Sequence, residues 1–148
     1  MSDGGREPAI AGRIVDGRHF LPVRVYYEDT DFSGIVYHAN YLKFCERGRS
    51  DLLRLLGIEH RELDRSGFAF AVRRMTCDFV KPARIDDLLE VVTRLVEIAG
   101  ARLELAQSVQ RADDTLFAAN VTLALIDASG RPRRLPEALA LSLGGLMR

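Results

Sequence analysis

The sequence predicts an α+β fold in which one long helix packs on a single, mainly antiparallel sheet. One strand comes first, a long amphipathic helix follows, and four strands then succeed one another with no helix-length segment between them. Parallel neighbours need crossovers of about a dozen residues or more, so these closely spaced strands should pair antiparallel. Segregation of helix and strands along the chain is typical of α+β domains.

Residues 1–18 are expected to form a flexible N-terminal arm and residues 19–148 a single domain. The arm is polar and glycine-rich and has no apolar segment of the kind found in a signal peptide. The first strand is predicted over residues 20–27. Pro22 indicates that its first part lies at a sheet edge or is irregular.

The long helix is predicted over residues 40–56 because apolar side chains recur there at helical spacing. Gly57 follows as its C-cap. Gly48 lies in mid-helix, where glycine costs about 1 kcal/mol relative to alanine, so we expect it to permit a close approach to the sheet. A short second helix is expected over residues 59–65.

The neighbours of Gly48 predict structural roles in the same helix. Glu46 and Arg47 are expected to form a buried polar pair. Cys45 is expected to be a small residue on the helix face rather than a nucleophile.

Four strands are expected at residues 68–80, 88–98, 102–110 and 116–126, and a last short helix at residues 136–143. Turn-forming residues fill the gaps between the strands. Five strands with one helix leave much of the sheet uncovered. We therefore expect a homo-oligomer, in which a second copy covers that surface.

Composition excludes several broad classes of protein. The chain has 148 residues, a length near that of one domain, with 21 basic and 21 acidic side chains, so it lacks the basic excess of a nucleic-acid binder. Its hydrophobic fraction of 47% argues against disorder. No apolar run is long enough for a membrane span. Two cysteines make no disulfide framework, which favours the cytoplasm.

Several familiar reaction centres are missing from the sequence. It contains no G-x-S-x-G nucleophile motif, no P-loop and no G-x-G-x-x-G dinucleotide motif. The three histidines are far apart and there is no C-x-x-C, so no metal site is expected.

The densest polar cluster is the segment 26–41, between the first strand and the long helix. A helix N-terminus supplies free N–H groups and the positive end of a dipole. A carboxylate placed there can serve as nucleophile or base beside an oxyanion hole. Asp31 is the candidate, and its alternative role is that of a turn or capping residue.

Part of this segment is also similar to a calcium-binding EF-hand loop. Asp29, Asp31 and Ser33 fall at ligand positions, and Gly34 falls at the sixth position. Asn40 stands at position twelve, where it cannot supply the bidentate glutamate. A strand rather than a helix precedes the loop, which argues further against calcium.

The same segment resembles the hotdog-fold acyl-CoA thioesterases of the YbgC type, associated with the Tol-Pal system, and their relatives the 4-hydroxybenzoyl-CoA thioesterases. The resemblance rests on the runs Y-E-D-T-D at 27–31 and G-I-V-Y-H-A-N-Y at 34–41. Supporting pieces lie at 46–49, 73–76 and 82–87. It implies a long helix wrapped by a five-stranded sheet, with two subunits joined edge to edge in a homodimer or homotetramer.

The resemblance also implies roles for individual residues. Asp31 matches the catalytic aspartate, as nucleophile or general base, and the backbone N–H of His38 matches the oxyanion donor. Gly34, Val36 and Tyr37 would bind the substrate. The side chain of His38 is either a polar group of the pocket or a hydrogen-bonding partner of the loop.

Two positions depart from the family pattern. Phe32 follows the key aspartate where small residues or proline are usual, so its bulk would reshape the acyl pocket. The hairpin that binds the coenzyme nucleotide in the hydroxybenzoyl enzymes keeps one basic residue here, Arg102. Tyr37 and Tyr41 have an alternative role as packing residues with tethered hydroxyls.

The function that follows from the resemblance is hydrolysis of an acyl-CoA thioester to a free acid and CoA. No cofactor is expected, because CoA is part of the substrate. The alternative is a non-catalytic module of the same fold that binds acyl-CoA or acyl carrier protein. A dehydratase of this fold is disfavoured because its histidine-led motif is missing.

Overall fold

A computed structural model of the chain describes residues 11–147 and has one six-stranded antiparallel sheet with a long helix packed on it. The strands lie in the order β1-β2-β4-β5-β6-β3. The elements are β1 Arg13–Val15, β2 Arg18–Arg24, α1 His38–Leu55, α2 His60–Arg65, β3 Phe68–Phe79, β4 Leu88–Ala99, β5 Arg102–Arg111, β6 Asp114–Asp127 and α3 Glu137–Gly144, with short 3₁₀ turns at Tyr27–Asp29 and Gly145–Met147.

The predicted α+β class is confirmed, and so is the packing of one long helix on a single sheet. Each predicted helix and strand is present, with its ends shifted by a few residues at most. None of the described helices combines the length and the apolar character that crossing a membrane requires.

The expected five strands are corrected to six. The additional strand is β1, whose residues pair with Arg18–Phe20 of β2, so the prediction of an arm over residues 1–18 was wrong for this part of the chain. Residues 1–10 of that arm lie outside the described residues.

A buried contact to α1 explains why β1 is ordered. The Gly12 N–H donates to Oδ2 of Asp51 at 2.9 Å, and the same oxygen lies 2.7 Å from Nε2 of His19. Asp51 and His19 are buried. The helix thus holds the start of the sheet through one carboxylate, a contact across 39 residues that local sequence patterns do not reveal.

Pro22 lies in the part of β2 that forms the sheet edge. Strand β1 pairs only as far as Phe20, and beyond that point β2 is bonded on one side only, to β4. Proline lacks an N–H, so an edge position costs it no ladder hydrogen bond. The edge prediction is therefore correct for Pro22, whereas the first part of the strand is paired on both sides.

Helix α1 approaches the sheet closely at Gly48, as predicted. A Cβ atom added there would lie 2.9 Å from Cγ1 of Val91 and 3.2 Å from Oγ1 of Thr93. Cys45 is fully buried on the same face, and burial raises the pKa of its thiol to about 12, so it is not a nucleophile.

The buried charged side chain of this helix face is Arg49, and the prediction of a buried Glu46–Arg47 pair was wrong. Both of those side chains are exposed. Arg49 donates from Nη1 to Oε1 of Gln107 at 2.9 Å, and Gln107 donates in turn to Oγ1 of Thr93 at 2.8 Å. Arg49 follows Gly48 and shares its side of the helix, which carries it into the interior.

Candidate active site

The loop between β2 and α1 folds into a small hairpin around Asp31. The Asp31 N–H donates to the Ile35 carbonyl at 2.9 Å, and the Gly34 N–H donates to the Asp31 carbonyl at 3.0 Å. Gly34 has φ of +81°, a conformation that side chains with a Cβ adopt only with strain. The Val36 N–H donates to the Ala83 carbonyl at 2.8 Å, so the hairpin is fastened to the segment before β4.

Asp29 fastens the same loop to the start of α1. Its carbonyl accepts hydrogen bonds from the Tyr37 N–H at 2.9 Å and from Nδ2 of Asn40 at 2.8 Å. Its carboxylate accepts the Tyr26 N–H at 2.8 Å. Asp29 is thus a structural residue, and its contacts hold the hairpin of Asp31 against the helix N-terminus.

The carboxylate of Asp31 is exposed, and its first oxygen is held by Ser33. Oδ1 accepts the Ser33 hydroxyl at 2.7 Å and the Ser33 N–H at 2.8 Å. These two bonds lower the pKa of Asp31 below its ordinary value, and the N–H of Ile35 and the nearby His38 lower it further. Asp31 is therefore ionised at neutral pH.

The first N–H group of α1 is available beside this carboxylate. The helix begins at His38, and its N-cap residue Tyr37 makes no side-chain capping bond. Among residues 11–147, no group accepts the His38 N–H. The positive end of the helix dipole adds to its attraction for an anion. The structure thus brings Asp31 and His38, the two predicted catalytic residues, to one junction.

Aromatic side chains surround the His38 ring. The ring centroid lies 4.5 Å from that of Tyr37 and 6.0 Å from that of Phe79. Tyr41 stacks on Phe117 at 5.1 Å, and its hydroxyl accepts the Ala83 N–H at 3.1 Å. Tyr41 is therefore a buried packing residue with a tethered hydroxyl, as the alternative prediction had it. No hydrogen bond of the His38 ring occurs among the described residues, so a loop-bonding role for it gains no support.

Several large apolar side chains that proteins usually bury are exposed on this loop and beside it. They include Tyr27, Phe32, Tyr37 and Phe79, and the side chain of Phe32 is fully exposed. Tyr37 and Phe79 both contact the His38 ring, and an exposed apolar patch beside polar groups is typical of a binding site. Val36 differs from these residues because its side chain is buried in the core.

Arg102 is not brought to this junction within one chain. It begins β5 and forms an ion pair with Glu104 at 3.2 Å. The other end of β5 carries Arg111, which pairs with Asp87 at 2.8 Å near the segment that fastens the hairpin. A strand of this length spans about 30 Å. A nucleotide-binding role for Arg102 stays a prediction.

A large groove on the described surface does not contain Asp31. It has a volume of about 780 Å³, lies between β2 and α1, and reaches Tyr26, Glu28 and Asp29 of the loop. Its walls carry both acidic and basic side chains. The hydrogen bonds of the junction therefore locate the candidate site better than cavity size does. Within residues 11–147, no three His, Cys, Asp or Glu side chains group so as to hold a metal ion.

Ser33 and Phe79 were not assigned to the site from the sequence. Ser33 had a visible signal, since a serine two residues after an aspartate is a common turn pattern. Phe79 had none, because it comes from the end of β3, far along the chain from the loop.

Comparison with known proteins shows the family to which the chain belongs. The sequence profile of the thioesterase superfamily matches residues 33–118, a segment that begins two residues after Asp31. The acyl-CoA thioester hydrolase YbgC of Escherichia coli O6:H1 is 42% identical over 120 residues, which cover 80% of this chain and 90% of that protein. The acyl-CoA thioesterase YbgC of Haemophilus influenzae is 41% identical over 115 residues, 77% of this chain and 85% of that protein.

A solved structure agrees with the profile match and with the two YbgC relatives. The crystal structure of a probable thioesterase from Bartonella henselae is 46% identical and superimposes with a TM-score of 0.77, covering 80% of this chain and 99% of that one. The profile match extends over more than half of the chain, and the relatives are covered nearly from end to end. With a long helix packed on an antiparallel sheet in the hotdog arrangement, the chain belongs to the thioesterase superfamily.

Proposed function

We propose that this chain hydrolyses acyl-CoA thioesters to a carboxylic acid and CoA, with Asp31 as nucleophile or general base. The observation that carries the proposal is the ionised Asp31 carboxylate, held by Ser33 in the loop that leads to His38, whose N–H is accepted by no group within residues 11–147. The relatives that share most of its sequence are named as enzymes of this kind.

The chemistry needs few groups. In one route a carboxylate oxygen of Asp31 attacks the thioester carbon, CoA leaves as the thiolate, and water hydrolyses the resulting anhydride. In the other route Asp31 removes a proton from the attacking water. In both, negative charge develops on the carbonyl oxygen, where the His38 N–H and the helix dipole stabilise it. A thiol has a pKa near ~8.5, so the thiolate leaves without strong acid assistance.

The exposed side chains around the junction suit an acyl group. Gly34 closes the turn of Asp31, and Tyr37 and Phe79 contact the His38 ring. Phe32 and Phe79 present exposed apolar surface. Phe32 stands directly after Asp31, so we propose that its bulk helps to select the acyl group.

The edge of the sheet at β3 suits a second copy of the chain. Strand β3 has 12 residues, and its outer edge pairs with no strand in the described chain. A cavity of about 380 Å³ lies between this edge and α1, lined by Phe70, Val72 and Leu53 among others. Unpaired edges of this length are normally covered. We propose a homodimer or homotetramer built on this edge, which also places the partner next to Phe79 and the candidate site.

The state of the two cysteines bears on the cellular compartment of the protein. Cys45 and Cys77 are both free thiols in the structure. This supports a reducing compartment, and we propose the cytoplasm.

The proposal is tested by replacing the carboxylate with an amide. Asp31→Asn should lower kcat on acyl-CoA at least ~10²-fold, the scale expected when an essential catalytic group is lost. Asp64→Asn, which changes an exposed aspartate on α2, is the matched control and should turn over normally. Thiol release from short, long and aromatic acyl-CoAs is the measurement.

Two outcomes would overturn the proposal in different ways. Full turnover by Asp31→Asn would remove Asp31 from catalysis. Absence of turnover by the folded wild type on every acyl-CoA, with binding seen by calorimetry, would favour the alternative of a module that binds acyl-CoA or acyl carrier protein.

A further inference from the structure

The chain contains two copies of one turn, D-x-S-G, at residues 31–34 and 127–130. In each, Oδ1 of the aspartate accepts the serine N–H and the serine hydroxyl, at 2.8 and 2.7 Å in the first turn and at 2.9 and 2.6 Å in the second. In each, the glycine N–H donates to the aspartate carbonyl and the glycine has positive φ. The two turns therefore have the same local structure.

The two turns differ at the second carboxylate oxygen. Oδ2 of Asp127 accepts the Nε–H of Arg133 at 2.7 Å. The Arg131 N–H adds a bond to Oδ1 of Asp127 at 3.1 Å, and the equivalent Ile35 N–H acts on the carboxylate of Asp31. Oδ2 of Asp31 has no side-chain partner among residues 11–147. The second turn binds its second carboxylate oxygen to an arginine of its own loop, whereas the first turn makes no such side-chain bond within residues 11–147.

We propose that Ser33 is a positioning residue that holds Asp31 by Oδ1 and presents Oδ2 to the thioester carbonyl. This inference rests on the proposed function. The terminal torsion of an aspartate is soft, so a carboxylate without such bonds rotates through a broad range. The hydroxyl and the N–H of Ser33 both donate hydrogen bonds to the same oxygen, and these bonds restrict that rotation. A fixed orientation of the reacting group lowers the entropic cost of the chemical step.

The hydroxyl of Ser33 also lowers the pKa of Asp31. It is the largest of the influences that lower the pKa of this carboxyl group. A serine-to-alanine change removes only the hydroxyl, and the backbone N–H of residue 33 still reaches Oδ1. The turn therefore keeps its fold while the carboxylate loses the hydrogen bond of the hydroxyl.

The test compares Ser33→Ala, Ser33→Thr and Ser129→Ala with the wild type on one acyl-CoA. Ser33→Ala should lower kcat about tenfold with KM changed less than about twofold, the scale of one hydrogen bond to a charged group. Ser33→Thr restores a hydroxyl and should recover most of the turnover. Ser129→Ala removes the equivalent bond from the structural turn and should leave kcat and KM unchanged.

A pH profile separates positioning from a loss of structure. In Ser33→Ala the pKa of Asp31 rises, so the acid limb of kcat/KM should move to higher pH, and Ser33→Thr should move it back. Wild-type kcat and an unchanged acid limb in Ser33→Ala would overturn the role of Ser33, provided that Asp31→Asn is inactive. Full activity of Asp31→Asn would instead overturn the proposed function. A kcat loss in Ser33→Ala matched by Ser129→Ala would show a structural effect and would also overturn the role of Ser33.

Discussion

At the scale of single residues, the function depends on where one carboxylate is held and in which charge state. Asp31 is solvent-exposed, yet Ser33 lowers its pKa through two short hydrogen bonds to Oδ1. Burial, the usual way to perturb a catalytic carboxyl group, would raise its pKa instead. The site thus favours the charged form, which a nucleophile or a base requires.

The pH dependence of activity follows from this shift. Because the folded-state pKa of Asp31 lies below the ordinary 3.8, the decline of kcat/KM on acidification should be centred below 3.8. The free energy of unfolding should depend on pH in the same direction as the activity. The bonds to Asp31 stabilise the folded protein above the pKa of the unfolded chain, and that stabilisation is lost as the pH falls through the folded-state pKa.

The measurement is a pH–rate profile followed by the ultraviolet absorbance of the thioester bond, with circular dichroism to show that the protein stays folded. An acid limb centred above 3.8 in the folded protein would contradict the lowered pKa of Asp31.

At the scale of elements, Gly48 sets the distance between α1 and the sheet. The atoms that a Cβ would meet belong to the central strands: Cγ1 of Val91, Oγ1 of Thr93 and Nε2 of Gln107. Gln107 bonds Thr93 and also donates to the Cys45 carbonyl at 3.0 Å, so this region is held in place and cannot yield easily. The helix whose N-terminus faces Asp31 is thereby fixed to the sheet.

Gly48→Ala should therefore destabilise the protein although alanine is the better helix former. Alanine gains about 1 kcal/mol in a helix interior, whereas overpacking costs about 1–3 kcal/mol. We expect a net loss in the free energy of unfolding, measured by urea denaturation. Gly144→Ala in α3, where nothing lies within 4 Å of the added Cβ, is the matched control and should be neutral or stabilising. Equal stability of the two variants would contradict the close approach.

At the scale of the whole molecule, the two edges of the sheet differ in what they offer a partner. The β1 edge has three residues and is followed by the exposed part of β2. The β3 edge has 12 residues, carries half-exposed Val72 and Phe79, and ends beside the His38 ring. A second copy paired along β3 would cover the apolar edge and enclose the candidate site from one side.

A charge placed on each edge tests this assembly. Val72→Lys should shift the protein toward the single-chain mass in sedimentation velocity, because a lysine on a paired edge opposes association. Val15→Lys puts the same charge on a similarly exposed valine of β1 and should leave the assembly intact. A wild-type protein that sediments as a single chain, or a Val15→Lys variant that alone dissociates, would contradict a β3 interface.

The sequence by itself determined the order of the elements and the loop that carries Asp31. Those features depend on local chemistry: hydrophobic periodicity, turn-forming residues and the glycine of the hairpin act within a few positions of one another. The resemblance of residues 27–41 to a known family added the expected roles of Asp31 and His38.

Only the tertiary structure decided which distant groups meet. It paired Gly12 and His19 with Asp51, buried Arg49 rather than Arg47, and carried Arg102 to the end of the sheet away from Asp31. Within residues 11–147 it also left Oδ2 of Asp31 without a side-chain partner, while Arg133 bonds the equivalent oxygen in the second D-x-S-G turn. Such choices depend on the phase of a helix, the register of strands and contacts across many residues, which local patterns do not specify.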